Sequence, residues 1–371
     1  MTTNNAIKNQ GGVFAEKPNR IVGLDMLRIS LAILIYMFHS RMHFGCSYSC
    51  LNGFVSAGAI AMTGFFLLSG YSLRLVYGNK NLMEKHNLGK FYLKRILGII
   101  PLYYFFAILF ILFCGEESLL DNILLFPIEV LGLQSTFTSL FGVTHNGGTW
   151  FISCIILAYS IYPFIQFISK QLSSRYVLLL LILLVFIDIW GAVICRRFNT
   201  AWTYDNPFYR IVEFTCGVLV AQMNMEYDNK LLDFMRTWGA LICSVLFLFI
   251  GVLFARYFLH FIDYMLYNIV VLPSFIAMLF SLGTLKMPML EKTKIIGYLG
   301  KISYAFFLVQ FFAWSVGKWA VELIGYDHNW LKILITFTYC VLASIIAYEF
   351  IQKPVVKFAN KLLNNKLYMQ V

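Results

Sequence analysis

Apolar runs of about 20 residues recur along the 371-residue chain, near 23–42, 53–77, 97–114, 149–168, 176–195, 207–223, 237–256, 264–285, 297–321 and 330–352. A run of that length is what an α-helix needs to cross a hydrocarbon core about 30 Å thick. No water reaches backbone N–H and C=O groups at that depth, so only helices and closed barrels span a bilayer. Continuous apolar runs, as opposed to an alternating pattern, select helices. The expectation is an all-α fold, a polytopic membrane bundle of about ten transmembrane helices. Composition agrees: 60% hydrophobic and 13% charged residues, with mean hydropathy +0.74, exclude a soluble globule, whose apolar share is about 45–50%.

The net charge of +11 reflects topology. Basic residues are scattered between the spans and form no patch on one face, so nucleic acid is not the expected partner. With the N-terminus inside, twenty of the 29 Lys and Arg fall in inside segments and seven outside, while Arg28 and Arg74 lie within spans. By the positive-inside rule both termini are expected in the cytoplasm. Residues 119–133 are apolar but short and interrupted by Pro127 and Glu129, which reads as an interfacial or re-entrant piece on the outer side. Residues 1–20 are a polar cytoplasmic tail without the apolar core of a signal peptide. Residues 356–371 form a second, basic cytoplasmic tail. The chemistry therefore falls to the membrane domain, residues 21–355.

Arg28 and His39 are ionisable groups inside the first apolar run. Charged or titratable groups at membrane depth are costly and mark substrate paths, proton relays or catalytic sites. At about 1.5 Å per residue the imidazole lies about 16 Å beyond the guanidinium. A histidine satisfied in a helix contact and an arginine snorkelling to headgroups is the plainer account. Lys94 and Arg95 enter the third run from its basic end. They obey the charge rule whatever the function, and they also suit donor phosphates, with Arg95 expected at a helix start. Arg210 and Glu213, three apart, either neutralise each other or position an acceptor. Ser69 lacks a nucleophile motif and reads as packing. Small residues at 53, 57 and 61, and Gly217, suit close helix contacts. The eight cysteines carry no metal pattern, and no metal is expected; Cys46 and Cys50 on an outer loop are the pair able to form a structural bridge.

Taken in order, several motifs resemble the membrane acyltransferase-3 family. They are Leu24-Asp25-Met26-Leu27-Arg28 followed by His39, Gly64-Phe65-Phe66-Leu67-Leu68-Ser69-Gly70-Tyr71, Phe91-Tyr92-Leu93-Lys94-Arg95-Ile96-Leu97 before Pro101, Arg210-Ile211-Val212-Glu213-Phe214 before Gly217, and Leu299-Gly300-Lys301-Ile302-Ser303-Tyr304. The resemblance runs from about residue 20 to residue 355. It implies an integral O-acyltransferase of a bacterial cytoplasmic membrane that moves an acyl group, commonly acetyl from acetyl-CoA, to a hydroxyl of a cell-surface or lipid-linked glycan. It also implies His39 as the catalytic histidine, Arg28 as its companion and Arg95 as the first arginine of a donor-binding pair. Three positions depart from the family pattern: Gly98 stands for the second arginine, Ile155 for a glutamate after Trp150, and Gln310 for a late histidine.

The chemistry needs few parts. An alcohol attacking a thioester requires a base, which a neutral imidazole at His39 supplies. The developing oxyanion requires donors, for which Ser303, Tyr304, Asn146 or backbone amides are candidates. Trp150, Trp202, Tyr204 and Tyr209 offer faces for a sugar, although aromatics also gather at membrane interfaces for other reasons. The alternative from another class is a non-catalytic transporter or flippase of a glycan or lipid precursor, with Arg28 and His39 lining the path. A second class of membrane acyltransferase places its histidine late in a longer chain, unlike His39.

Overall fold

The computed structural model describes residues 20–114, 119–136, 140, 147–200 and 202–368, and among them there is no β-strand. The helices are α1 (Val22–Phe44), α2 (Asn52–Val55), α3 (Ala61–Tyr77), α4 (Lys85–Cys114), α5 (Leu119–Leu131), α6 (Trp150–Gln171), α7 (Ser174–Phe198), α8 (Pro207–Glu226), α9 (Lys230–Met235), α10 (Trp238–Tyr257), α11 (Asn268–Leu282), α12 (Pro288–Glu291), α13 (Lys294–Ile324), α14 (Asn329–Ala347) and α15 (Lys353–Tyr368). A π-helical turn over Tyr348–Gln352 joins α14 to α15. The chain is a multi-pass, all-α membrane protein.

Nine segments among the described residues are long and apolar enough to cross a membrane. The tenth expected span is α8, which is equally long but carries Arg210, Glu213, Gln222, Asn224 and Glu226. All of these but Glu226, exposed at the last residue, are sheltered because α8 lies inside the bundle against α3, α6, α7 and α11. The contact with α3 rests on two glycines. A Cβ at Gly70 would overlap the Phe214 carbonyl oxygen, and one at Gly217 would overlap that of Leu67. Close backbone approach of this kind supplies the dispersion contacts that hold helices together in lipid. The α3 segment is 72% buried, against 17% for α4 and 22% for α7. The apolar outer faces of α4 and α7 therefore meet lipid, and α3 and α8 form the core.

Several expected boundaries shift. The second run breaks: Asn52–Val55 is a separate short turn, and the spanning segment is Gly58–Tyr77, a 3-10 turn over Gly58–Ile60 running directly into α3. Of its small residues, Gly53 faces the Tyr257 ring and Ala57 is fully buried. Helix α4 begins at Lys85, twelve residues before the expected 97, which puts Arg95 in its third turn and corrects the helix-start placement. The 119–133 segment forms the 13-residue α5, too short to cross. Tyr103 and Tyr104 of α4 donate to the α5 carbonyls of Glu129 (2.5 Å) and Val130 (2.6 Å) and tie it down. Cys46 is buried and Cys50 exposed, both as free thiols, so this pair, able to bridge, does not.

Cross-contacts gather the loops at two ends. Arg20 donates to the Thr293 carbonyl before α13 (3.1 Å), Lys170 in the last turn of α6 to that of Lys80 after α3 (3.1 Å), and Arg236 before α10 to Asn224 at the end of α8 (2.9 Å). At the opposite end the Ser47 amide meets Asn329 (2.6 Å) and Arg41 meets Asn52 (3.0 Å). The basic loops thus share one end of the bundle. Most of tail 1–20, from residue 1 to 19, and Asn146 lie outside the described residues.

Candidate active site

Helices α1, α3, α4, α6, α13 and α15 line an open-sided cavity of about 530 Å³, within the range of about 300–1,000 Å³ usual for ligand sites. Its basic end is built by Arg28 of α1, Ser72 of α3, Lys94, Arg95 and Gly98 of α4, and Gln352 and Asn360 beyond α14. Its middle carries Ser69, Tyr159, Ser303 and Tyr304. The far end is apolar, with Ile155, Phe151 and Phe307. Helical spacing explains the wall of α3: residues 62, 65, 66, 69, 72 and 73 recur every three or four positions and share one face.

The charges at the basic end are incompletely matched. Arg28 Nη1 lies 3.2 Å from Asp25 Oδ1, and Asp25 also takes Arg20 Nε at 2.6 Å. A second Arg28 nitrogen reaches the Ser72 hydroxyl at 3.5 Å. Arg95 sits 5.5 Å above the Tyr77 ring and 5.9 Å from that of Tyr159. Its Nε is buried without a hydrogen-bond partner. Among the described residues no carboxylate forms an ion pair with Lys94 or Arg95. Three cations therefore line one cavity beside a single shared carboxylate, an arrangement suited to a polyanion.

Hydrogen bonds within the wall fix the remaining polar groups. Ser69 Oγ is 3.0 Å from the Tyr159 hydroxyl, Tyr304 donates to the Ile99 carbonyl at 3.1 Å, and Ser303 donates to that of Gly300 at 2.9 Å. Ser303 and Tyr304 thus have their protons committed to backbone oxygens, so their use as oxyanion donors requires those bonds to be exchanged.

His39 does not line this cavity. It stands behind the aromatic end, with Phe307 6.2 Å away between ring centroids, and Phe307 packs edge-on against Phe151 at 4.7 Å. Phe307, which also lines the cavity and is backed by Phe151, thus stands between the cavity and the imidazole. Beyond it lie Phe311, 5.5 Å from the His39 ring, and His43, 5.7 Å away and exposed one helical turn further on. His39 Nδ1 is 2.9 Å from Oε1 of the fully buried Gln310. All three departures from the expected motif pattern are gathered here: Gly98 and Ile155 line the cavity, and Gln310 holds His39.

The other candidates lie elsewhere. Arg210 and Glu213 are completely buried, with Arg210 Nη1 2.8 Å from each carboxylate oxygen. Glu213 also accepts from Thr63 (2.8 Å) and Asn268 (3.1 Å), and Asn268 donates to Asp188 at 2.7 Å. Trp150 is 3% exposed and lies 5.4 Å from the Arg210 guanidinium. These residues join α3, α6, α7, α8 and α11 and present no face to the cavity. Tyr204 closes the same cluster through its carbonyl, which accepts from Arg210 Nε at 2.7 Å. Sequence reasoning missed Tyr159, Ser72 and Gln352 as cavity residues. For the first two the three-to-four spacing with the α3 and α6 walls was the available signal.

Neither a curated protein nor a solved structure matches the chain. The family model described as an acyltransferase domain matches residues 21–349, nearly the whole membrane bundle and every element of the cavity up to α14. The chain belongs to the membrane acyltransferase-3 family.

Proposed function

We propose that the protein transfers acetyl from acetyl-CoA to a hydroxyl of a cell-surface or lipid-linked glycan, with His39 as general base. The observation that carries this reading is the cation-lined cavity, poor in carboxylates, whose apolar end stops at two phenylalanines with His39 directly behind them. The positive-inside rule assigns the basic end to the cytoplasm, where the donor is made. On this reading Arg28, Lys94 and Arg95 take the phosphates, and the thioester is directed toward Phe151 and Phe307. The acceptor hydroxyl approaches from the opposite end, past the exposed His43.

His39 then has a defined task. With Nδ1–H donated to Gln310 Oε1, its Nε2 keeps a lone pair and takes the hydroxyl proton as the new C–O bond forms. As the C–S bond breaks, the imidazolium returns that proton to the leaving sulfur. Gln310 fixes the tautomer, which is the role a hydrogen-bonded partner plays for a catalytic histidine. The Phe151 and Phe307 rings also keep bulk water from the thioester until they turn aside.

The test is transfer of radiolabel from acetyl-CoA by the purified chain to a membrane glycan fraction. His39→Ala should lower turnover by about 10²–10⁴ while the protein inserts normally and still binds coenzyme A. Near-normal transfer by a correctly inserted His39→Ala variant would remove His39 from the mechanism. Passage of a glycan precursor without any labelled product would favour a transporter.

A further inference from the structure

The matched family domain ends at residue 349, but the cavity does not. Gln352, Val356, Ala359 and Asn360 line it from the π-turn and α15. The turn at Tyr348–Gln352 inserts one extra residue into an otherwise continuous helix, a feature that rotates the next stretch of helix and recurs at functional sites. Here the rotated stretch lies against α4, and Gln352 Nε2 donates to the Gly98 carbonyl at 3.0 Å. Gly98 is the position where the motif pattern expects a second arginine, and a Cβ there would meet nothing within 4 Å. Open space at Gly98 is thus bordered by a side chain from outside the matched domain.

The bond to Gly98 fixes the orientation of the Gln352 amide. A backbone carbonyl only accepts, so Nε2 must face it and Oε1 must face away. That Oε1 is buried and has no hydrogen-bond partner. A buried acceptor without a donor is costly, by the desolvation of the group, unless a ligand or water supplies one. In the same cavity Arg95 Nε is a buried donor without an acceptor. One orphan calls for an anion or another acceptor, and the other calls for an N–H or O–H. A coenzyme A thioester carries both, as phosphates at one end and two secondary amides along the arm that bears its sulfur.

We infer that Gln352 is a donor-binding residue, its Oε1 accepting from an amide N–H of the thioester's pantetheine arm, and that α15 completes the donor site. This rests on the acetyl-CoA reading above. Arg28, Lys94 and Arg95 hold the phosphates, and Gln352 sets how far the arm extends toward Phe151 and Phe307.

The experiment is calorimetric binding to the full-length protein in detergent, with two probes: coenzyme A, and 3′-phospho-ADP, which keeps the phosphates and lacks the arm. Gln352→Met, close in volume and with only a weak thioether acceptor in place of the amide oxygen, should weaken coenzyme A about three- to tenfold, the effect of one hydrogen bond, and leave 3′-phospho-ADP unchanged. Equal weakening of both probes, or of neither, would overturn the contact. Should Gln352→Met fail to fold, the wild-type chain supplies the same answer from the ligand side. Coenzyme A N-methylated at its arm amides should then bind about three- to tenfold more weakly than the parent, and equal binding overturns the inference. If the wild-type chain binds 3′-phospho-ADP and coenzyme A equally, the arm is not recognised and only the Gln352 contact fails. If it binds neither, the acetyl-CoA reading fails first and takes this one with it.

Discussion

Arg210 and Arg95 both sit within helices of the bundle, and their surroundings are opposite. Arg210 is completely buried, meets both oxygens of Glu213 at 2.8 Å, and reaches the Tyr204 carbonyl at 2.7 Å. Arg95 has two aromatic faces, a tyrosine hydroxyl at 3.5 Å and a buried Nε that pairs with nothing. Burying a charge is offset only by good geometry and full hydrogen bonding, and the first site has both. The second leaves its charge for something the chain does not contain. Pairing therefore separates the arginine that holds helices together from the one proposed above to bind the donor, although both belong to the recognised motifs.

The comparison breaks most visibly at Glu213. Replacing it by alanine strands a buried guanidinium and frees the side chains of Thr63 and Asn268 that now donate to it. Removing one partner of a buried pair costs about 3–5 kcal/mol. Glu213→Ala should accordingly lose that much stability in denaturant titrations followed by tryptophan emission, with activity falling only as the fold does. Wild-type stability in that variant would mean that the cluster is incidental to the packing of α3, α7, α8 and α11.

Sequence reasoning could reach this distinction only halfway. The spacing of Arg210 and Glu213 predicts a pair, and a three-residue separation on a helix is enough to say so. Whether that pair faces a substrate depends on Asp188, Thr63 and Asn268, which come from three other helices and lie 22 to 147 positions from Arg210. The spans were legible because lipid imposes a length and a composition on every helix. Helix α8 was legible too, as the run at 207–223, but that protein and not lipid surrounds most of it was not, because its neighbours α3, α6, α7 and α11 come from distant parts of the chain. His39 was legible as an ionisable group at depth, and its separation from the cavity by Phe151 and Phe307 was not, because aromatic residues are abundant throughout the chain. The break near residue 56 and the early start of α4 turn on tertiary contacts at Gly58 and on a polar first turn at Lys85, His86 and Asn87, to which an apolar-run criterion is blind.

Arg95 gives the next largest effect, on a different observable. Arg95→Gln should weaken coenzyme A by about 1.5–3 kcal/mol if a charge-assisted phosphate contact is lost. Its stability should fall less than that of Glu213→Ala, because the substitution breaks no ion pair and loses only the two ring contacts and the 3.5 Å contact with Tyr77. Calorimetry and denaturant titration on the same preparation make the contrast with Glu213→Ala direct. Unchanged affinity would reduce Arg95 to a topology charge.

Asp25 sharpens the comparison with the smallest change, because it lies between the two extremes. Its carboxylate is shared, 2.6 Å from Arg20 and 3.2 Å from Arg28, with side-chain exposure of 16% against 36% and 30% for the arginines. Pairs this open to solvent contribute about 0.2–1 kcal/mol, so loss of the carboxylate should hardly move the denaturation midpoint. Its effect on the ligand has a definite sign. The closer partner is Arg20, and Arg28 keeps a nitrogen toward Ser72 on the cavity wall, so Asp25 acts on Arg28 chiefly as a competing anion. Asp25→Asn should therefore tighten coenzyme A about twofold to fivefold, an effect that shrinks as salt screens it. Weaker binding by Asp25→Asn would show instead that the carboxylate orients Arg28, and Arg28 would then resemble Arg210 more than Arg95.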